Sequence, residues 1–334
     1  MSDVLCLGEI LVDWVCTEIG AELNDAKSFT KAPGGAPANV AVGLARQGVS
    51  AGFLGRVSTD EFGQWLKKIL EEEGIDTSGT IVDSDAQTRM AYVVTMSNGD
   101  RKLAEFSKVS VADARLAPDD LSEKQFASAS ILHFGSISAI VDPAKAATQT
   151  AIELASKHKL LLSYDPNVRI GLWPTPDRCR NTILSTLKSA DLVKINLDEL
   201  EFLTGSREFE AAEKLRQEHD LPLLIITLDS DGAFFACQKG QKTVGGFKVN
   251  FVEATGAGDG FVSGILSGLL NELKGMTDKR STLKNLSQEK ISEIVRQANA
   301  IGALACTKPG AIPALPRQKE VKLFLEEMAA QASS

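Results

Sequence analysis

The sequence has neither a disulfide framework nor a zinc-binding pattern. Its five cysteines (Cys6, Cys16, Cys179, Cys237 and Cys306) are scattered, odd in number and contain no CxxC pair. That argues for a reducing compartment. No uninterrupted apolar stretch of about 18 residues occurs, so no membrane-spanning helix is expected. No run of five or more basic residues occurs either, and the formal net charge is −8 with a pI near 5.1. Nucleic acid and anionic membrane are therefore not expected as partners. The three histidines (His133, His158, His219) offer no metal cluster. The Gly-x-Ser-x-Gly elbow of the α/β-hydrolases is missing, as are the Gly-Lys-Ser/Thr of a Walker loop and the GxGxxG of a dinucleotide site. The first residues, MSDVLCLGEILVDWV, carry an acid at position 3 and no Lys or Arg before the apolar run. They do not resemble a secretory signal, and a cytoplasmic protein is expected.

What remains is ordinary globular composition, 43% hydrophobic and 24% charged over 334 residues, without internal repeats or low-complexity stretches. This length suits one large α/β domain or two modest ones. The informative stretch is Val252-Glu253-Ala254-Thr255-Gly256-Ala257-Gly258-Asp259-Gly260-Phe261 and the small and apolar residues that follow. Gly256 and Gly258 allow positive φ and close approach of a ligand to the main chain. The run from Asp259 predicts a buried helix, whose first amides and positive dipole end form an anion site. Asp259 is either a helix N-cap or a base that takes a proton from a hydroxyl beside a bound phosphate.

Val4 to Gly8 predicts a buried strand, with Glu9 and Asp13 after it. Asp13 then falls where a polar substrate is gripped, or is a solvated loop residue. Gly34-Gly35 opens a helix of small residues closed by Gly48, and Asn39 is the one polar side chain on its face. Such an Asn must satisfy its amide within the fold or on a ligand hydroxyl. A strand over 52–57 and a helix over 60–73 follow. Residues 88–107 alternate around Ser97-Asn98-Gly99-Asp100, which predicts a hairpin, either a lid or a plain surface feature. Beyond Pro118 the pattern is strand 131–136, helix 143–158, strand 160–165, strand 191–196 with a helix ending at Gly205, and strands at 223–228 and 233–237. A polar, linker-like segment at 275–290, a helix at 291–305 and a Pro/Gly-rich tail complete the chain. The expected fold is α/β, with a mostly parallel central sheet covered by helices on both faces. Asp13, Asn39, Asp165, Asn167, Arg169, Asn196, Glu199 and Asp259 all fall at expected strand exits or helix starts. Those positions share one edge of a parallel sheet. The residue types suit phosphoryl transfer, where the protein positions groups and neutralises charge.

These residues resemble a known family. The segments LGEILVD, GGAPANVAVGLARQG and ATGAGDGFVSGIL are similar to those of the ribokinase-like (PfkB) carbohydrate kinases. HFGS at 133–136, YDPNVRIGLWP at 164–174 and NLDELEFLTG at 196–205 narrow the resemblance to fructokinases, and it extends over the whole chain. The resemblance implies one catalytic domain, 1–334, with a β-sheet lid built from about 14–32 and 88–108; the exposed hydrogen-bonding edge of such a lid invites pairing, so a homodimer through the lids is expected. It implies ATP and Mg²⁺ as cofactors and a sugar as substrate, D-fructose becoming fructose 6-phosphate. Asp259 would be the base, the amides of Gly256, Ala257 and Gly258 the anion hole, and Arg169 would face the phosphates. Asp13, Gly34, Gly35, Asn39, Phe106, Lys108 and Asn167 would line the sugar site. Asn196 and Glu199 would organise Mg²⁺, largely through water. Thr227, Gly232, Asn299 and Gly310 would flank the nucleotide.

The sequence departs from the family pattern at three points. Glu253 stands where the family has Asp, in a segment that helps to bind an activating monovalent cation, which leaves K⁺ dependence open. Asp229 stands where Gly is common, beside the nucleotide phosphates. Ser107-Lys108 follows Phe106 where fructokinases tend to have Tyr-Arg. Lys supplies the charge but not the fork, so a kinase for another sugar or a sugar acid, such as 2-keto-3-deoxygluconate, is the alternative. A catalytically silent scaffold relative is the reading from a different class.

Overall fold

The computed structural model describes residues 2–96, 101–107 and 110–332. The expected hairpin turn at 97–100 and Lys108 lie outside the described residues. In chain order the strands are β1 (Val4–Leu7), β2 (Leu11–Ile19), β3 (Phe29–Gly34), β4 (Ala51–Ser58), β5 (Thr80–Asp83), β6 (Met90–Thr95), β7 (Arg101–Phe106), β8 (Ile131–Phe134), β9 (Leu161–Tyr164), β10 (Leu192–Asn196), β11 (Leu223–Thr227), β12 (Ala233–Cys237) and β13 (Gly240–Val244). The helices are α1 (Ala36–Arg46), α2 (Glu61–Glu72), α3 (Glu123–Ser128), α4 (Ala144–Lys157), α5 (Pro176–Leu187), α6 (Leu197–Thr204), α7 (Phe209–Glu218), α8 (Ala257–Leu273), α9 (Lys279–Asn285), α10 (Gln288–Ala305) and α11 (Gln318–Ala332).

The central sheet has nine strands in the order β13-β12-β11-β10-β9-β8-β1-β4-β5. Every pairing from β11 across to β5 is parallel, and β12 and β13 extend that edge antiparallel. Both faces are buried, so the strands read as continuous apolar runs. On β1, Val4 and Cys6 join one hydrophobic cluster with α1, α8 and α10. Leu5 and Leu7 join the other with α4, α5 and α7. Glycines set how closely the first of these layers packs. A Cβ on Gly264 would lie 2.7 Å from the Cα of Ala298, and one on Gly43 would lie 2.6 Å from Ser263 Oγ. Only a bare backbone lets α8 lie this close to α10 and α1.

A second sheet of four strands, in the order β3-β2-β6-β7, stands apart from the first. β2 pairs antiparallel with β3 and parallel with β6, and β6 and β7 form the antiparallel hairpin expected from the alternation. This sheet corrects the expected place of Asp13. It lies inside β2, opposite Ala32 and Ala91, and not in a loop leaving β1. The chain turns at Gly8, with φ 147°, and enters the second sheet at once.

Two segments near the C-terminus differ from expectation. The polar stretch at 275–290 contains α9, whose N-cap Asp278 accepts from the Ser281 amide at 2.8 Å and whose Leu283 is buried. The tail after Pro316 forms α11, which docks Val321 and Phe324 against Ile301 and Phe247. In both, a short apolar face is supplied with a partner only by the tertiary fold, and its amphipathic signal is weak in the sequence.

Candidate active site

The parallel strands β9, β10 and β11 end at Tyr164, Asn196 and Thr227, so their exits share the carboxyl edge of the sheet where ligands bind in such folds. The β1 exit and the start of α8 reach the same region through side-chain contacts. Asn39 on α1 donates from Nδ2 to Asp259 Oδ2 at 2.8 Å, and both residues are buried. The other amide atom of Asn39, Oδ1, is buried without a partner. A buried acceptor left in this way calls for a donor from a ligand, such as a sugar hydroxyl.

The start of α8 is a type II turn. The Ala257 amide donates to the Ala254 carbonyl at 3.1 Å, and Gly256 stands third in the turn with φ 78° and ψ −3°. That position requires a residue tolerant of positive φ. It also packs tightly, because a Cβ there would sit 2.8 Å from the Cα of Ala311. This turn corrects one part of the expected anion hole. The Ala257 N–H is spent inside the turn, while no backbone carbonyl among the described residues accepts from Gly256, Gly258 or Asp259. Nor is Asp259 the cap of the helix. Gly256 is the N-cap, and Asp259 sits in the first turn, aimed at Asn39. Burial pushes the Asp259 carboxyl up to about 6, opposed by the Asn39 hydrogen bond, raised further by Asp165, and lowered by Lys194 and Arg169. A carboxylate in that range suits a general base working near neutral pH.

The loop after β9 is held by carboxylates. Asp165 Oδ1 accepts from the Asn167 amide at 3.2 Å, and Asn167 takes a left-handed φ of 48°. Glu199 accepts the Val168 amide at 2.7 Å on Oε1 and the Asn196 amide at 2.9 Å on Oε2. The Asn196 side chain in turn accepts from the Glu199 amide at 2.8 Å, closing a capping box on α6. Such a cap is worth about 1 kcal/mol. Burial pushes the Glu199 carboxyl up, against the pull of Lys194. Each Glu199 oxygen is already committed to a backbone amide but keeps a further lone pair. These groups fit a hydrated Mg²⁺ contacted through water, and not a direct carboxylate cage. No cluster of three or more acidic, His or Cys residues that could hold a metal occurs among the described residues. Arg169 is exposed, and its guanidinium donates to the Val168 carbonyl at 3.1 Å. Its charge still reaches Asp259.

At the start of α1, Gly35 is the N-cap, with φ 108° and no side chain to offer. Glu9 supplies the acceptor instead, taking the Ala36 amide on Oε1 at 3.1 Å. Burial raises the Glu9 carboxyl to about 7. Asp13 reaches Gly34 so closely that a Cβ there would fall 2.2 Å from its Oδ2. Phe106 is half-buried at the end of β7, with the Arg89 guanidinium 5.9 Å from its ring centre. Arg89 itself pairs with Asp113. A cleft of about 1340 Å³ opens between the second sheet and the strand exits, lined in part by Phe106, Ser107, Arg169, Asn196 and Glu199.

The expected nucleotide residues lie toward the other end of the strand edge. Thr227 ends β11, its hydroxyl 3.5 Å from the Ile195 carbonyl. Gly232 has φ 99°, and a Cβ on it would strike the Val244 carbonyl at 2.2 Å. Both N–H groups of the Asn299 amide hold the Val244 and Gly245 carbonyls at 3.1 Å, so this side chain ties β13 to α10. The Gly310 amide donates to Glu253 Oε2 at 3.0 Å, and Val252 and Glu253 both donate to the Cys306 carbonyl. Glu253 therefore staples the approach to Gly256 onto the 306–311 loop.

One functional candidate escaped the sequence reading. Lys194, in the middle of β10, is buried and bonds Asp165 Oδ2 at 3.1 Å. Its only sequence signal is a Lys inside an otherwise apolar strand. His133, by contrast, is a core residue, paired with Ser163 Oγ at 3.0 Å and held neutral by burial, its pKa lowered to about 4.

An α/β sheet with a buried carboxylate, bare helix amides and a cleft beside a second sheet fits a phosphotransferase of small polar substrates. Comparison with known proteins gives the family. Residues 1–318 match the model of the pfkB family carbohydrate kinases, and the chain belongs to that family. It is similar to fructokinase-1 of Zea mays, 40% identical over 326 residues, covering 97% of this chain and 98% of that one. Among solved structures it is similar to a fructokinase with bound ATP from Xylella fastidiosa, with TM-score 0.88 and 29% identity, covering 98% and 100% of the two chains. A fructokinase double mutant from Vibrio cholerae O395, in a form with fructose, ADP and potassium ion, gives TM-score 0.81 and 33% identity over 97% and 98%. The protein is a fructokinase-like sugar kinase. No helix among the described residues is long and apolar enough to cross a membrane.

Proposed function

We propose that the protein transfers the γ-phosphoryl group of ATP to the 6-hydroxyl of D-fructose, with the whole chain acting as one catalytic domain. The observation that carries this reading is the Asn39–Asp259 pair at the start of α8, with a 2.8 Å hydrogen bond, an unpartnered Asn39 Oδ1 and a carboxyl raised to about 6. Asn39 Oδ1 accepts from one sugar hydroxyl. Asp259 takes the proton of the attacking hydroxyl as its oxygen bonds to phosphorus and the bond to the ADP oxygen breaks. The amides of Gly256 and Gly258 receive the charge that develops on the phosphoryl oxygens. Arg169 faces the same charge from the open side. Asp13, Gly34, Gly35, Phe106, Lys108 and Asn167 complete the sugar site. Thr227, Gly232 and Gly310 border the nucleotide, with Asn299 beneath them. When bound, Mg²⁺ would neutralise phosphate charge, held through water by Asn196 and Glu199.

The ATP, fructose and ADP named for the two solved relatives support these substrates, and the potassium ion named for one supports K⁺ near Glu253. Equal activity in K⁺ and Na⁺ would remove the ion. The second sheet closes on the sugar as a lid. Its strand edge also serves a homodimer, an idea that a monomer at working concentration by sedimentation would sink. All five cysteines are free, which supports a reducing, cytoplasmic setting.

The test is coupled ADP release with Mg·ATP against fructose, glucose, ribose, adenosine and 2-keto-3-deoxygluconate. Turnover on fructose above all others is expected. Preference for another sugar would keep the chemistry and change the substrate, as the Ser107-Lys108 departure allows. ATP binding with no turnover on any sugar would favour the silent relative.

A further inference from the structure

Four ionisable groups outside solvent meet under the start of α8, and only one is a cation. Lys194, on β10, is 9% exposed and donates to Asp165 Oδ2 at 3.1 Å. Its ammonium also lies against the glycine turn, 3.2 Å from where a Cβ on Gly258 would stand. Asp165, Glu199 and Asp259 all act on it electrostatically. Asp259 is faced in turn by Asn39 from α1, Asp165 and Arg169 from the loop after β9, and Lys194 from β10. His133 on β8 faces Asp165 and Lys194 and is neutral.

Three buried carboxylates beside one ammonium cannot all remain ionised without it, because burial penalises each charge. Through Asp165 the ammonium also links the β9 loop to the space beside Gly258. We propose that Lys194 is a positioning residue of the phosphoryl-transfer centre. Held between Asp165 and Gly258, it fixes the start of α8 against the β9 loop and keeps Asp259 ionised beside it. The residue acts through its neighbours. A side chain at 258 would press on the ammonium and push it aside by a few tenths of an ångström. This inference rests on the kinase reading, since it assigns Asp259 the role of base.

The two partners of Lys194 make the proposal directional. Lys194 lowers the Asp259 pKa and Asp165 raises it. Lys194→Met should therefore move the acidic limb of kcat/KM upward in pH, by half a unit or more, and lower kcat by tenfold or more. Its effect on KM for the sugar should be smaller than its effect on kcat. Asp165→Asn should move the limb downward, and Lys194→Arg should restore most of the wild-type position. A Lys194→Met enzyme with wild-type kcat and limb would overturn the proposal, and so would lost activity with the limb unmoved, which a purely structural role would give. If Lys194→Met fails to melt cooperatively, the Asp165→Asn and Lys194→Arg limbs decide alone, an unmoved Asp165→Asn limb counting against. The same titration is read without turnover, from the pH at which the gain in Tm caused by Asp259→Asn levels off, in otherwise wild-type and Lys194→Met backgrounds. A protein that phosphorylates no sugar would thus sink the kinase reading and leave this test intact.

Discussion

The start of α8 packs against Lys194 of β10, and the second sheet faces the exit of the same strand across the cleft, yet the two regions are built in opposite ways. At α8, buried groups hold one another. Asp259 is bonded by Asn39, Lys194 is bonded to Asp165, and Gly256 is wedged against Ala311. In the second sheet the polar and aromatic positions are half-open: Asp13 and Phe106 are partly exposed, Ile19 is 71% exposed, and the outer strands β3 and β7 each lack a neighbour on one side. The first region has little freedom to vary without losing ionisation or helix geometry. The second can change side chains with little cost to the fold. On the function proposed above, the difference assigns phosphoryl transfer to the buried centre and the choice of sugar to the second sheet.

The largest effect should come from Asp259→Asn. Removing the base should lower kcat by about 10²–10⁴-fold while ATP still binds. The same variant should be more stable than wild type at neutral pH. The Asp259 carboxyl is raised in the folded state, so its contribution to stability is complete below the ordinary carboxylate value and is lost as pH rises through about 6. The gain in Tm should therefore open above about pH 4 and level off above about pH 6. Wild-type turnover in Asp259→Asn would erase the contrast between the two regions.

A smaller effect is expected from Phe106→Ala. The ring is half-buried at the end of an outer strand, so its loss should cost about 1 kcal/mol or less of stability. It should raise KM for fructose several-fold and alter the ratio of rates between sugars more than it alters the best kcat. A fall in kcat comparable with that of Asp259→Asn, at unchanged sugar preference, would show that the second sheet takes part in the chemistry.

Most of the buried centre was legible in the sequence. Gly256 is legible as a turn residue because few others tolerate its φ of 78°, whereas the Asn196–Glu199 spacing, read only as a family element for Mg²⁺, also forms the capping box of α6. The Asn39–Asp259 contact joins residues 220 apart in the chain, and no local pattern states it. Lys194 was missed because a lysine in a strand reads as an edge or surface residue until its partners are known. The type II turn that consumes the Ala257 amide leaves no mark in the sequence beyond Gly256, which serves a ligand loop equally well. The strand–helix alternation gave the central sheet, whereas β5, β13, α9 and α11 are short or weakly amphipathic and depend on packing for their existence. Asp13 was placed in a loop because β1 and β2 are separated by only three residues, too few to signal that the chain changes sheets.

The account turns on Asp259 as an ionisable base at the start of α8, and the pH dependence of kcat/KM for fructose tests this most directly. The predicted result is a single acidic limb with a midpoint near pH 6, set by the free enzyme's Asp259. A kcat/KM that stays level down to the ordinary carboxylate range, in an enzyme that remains folded there, would contradict it.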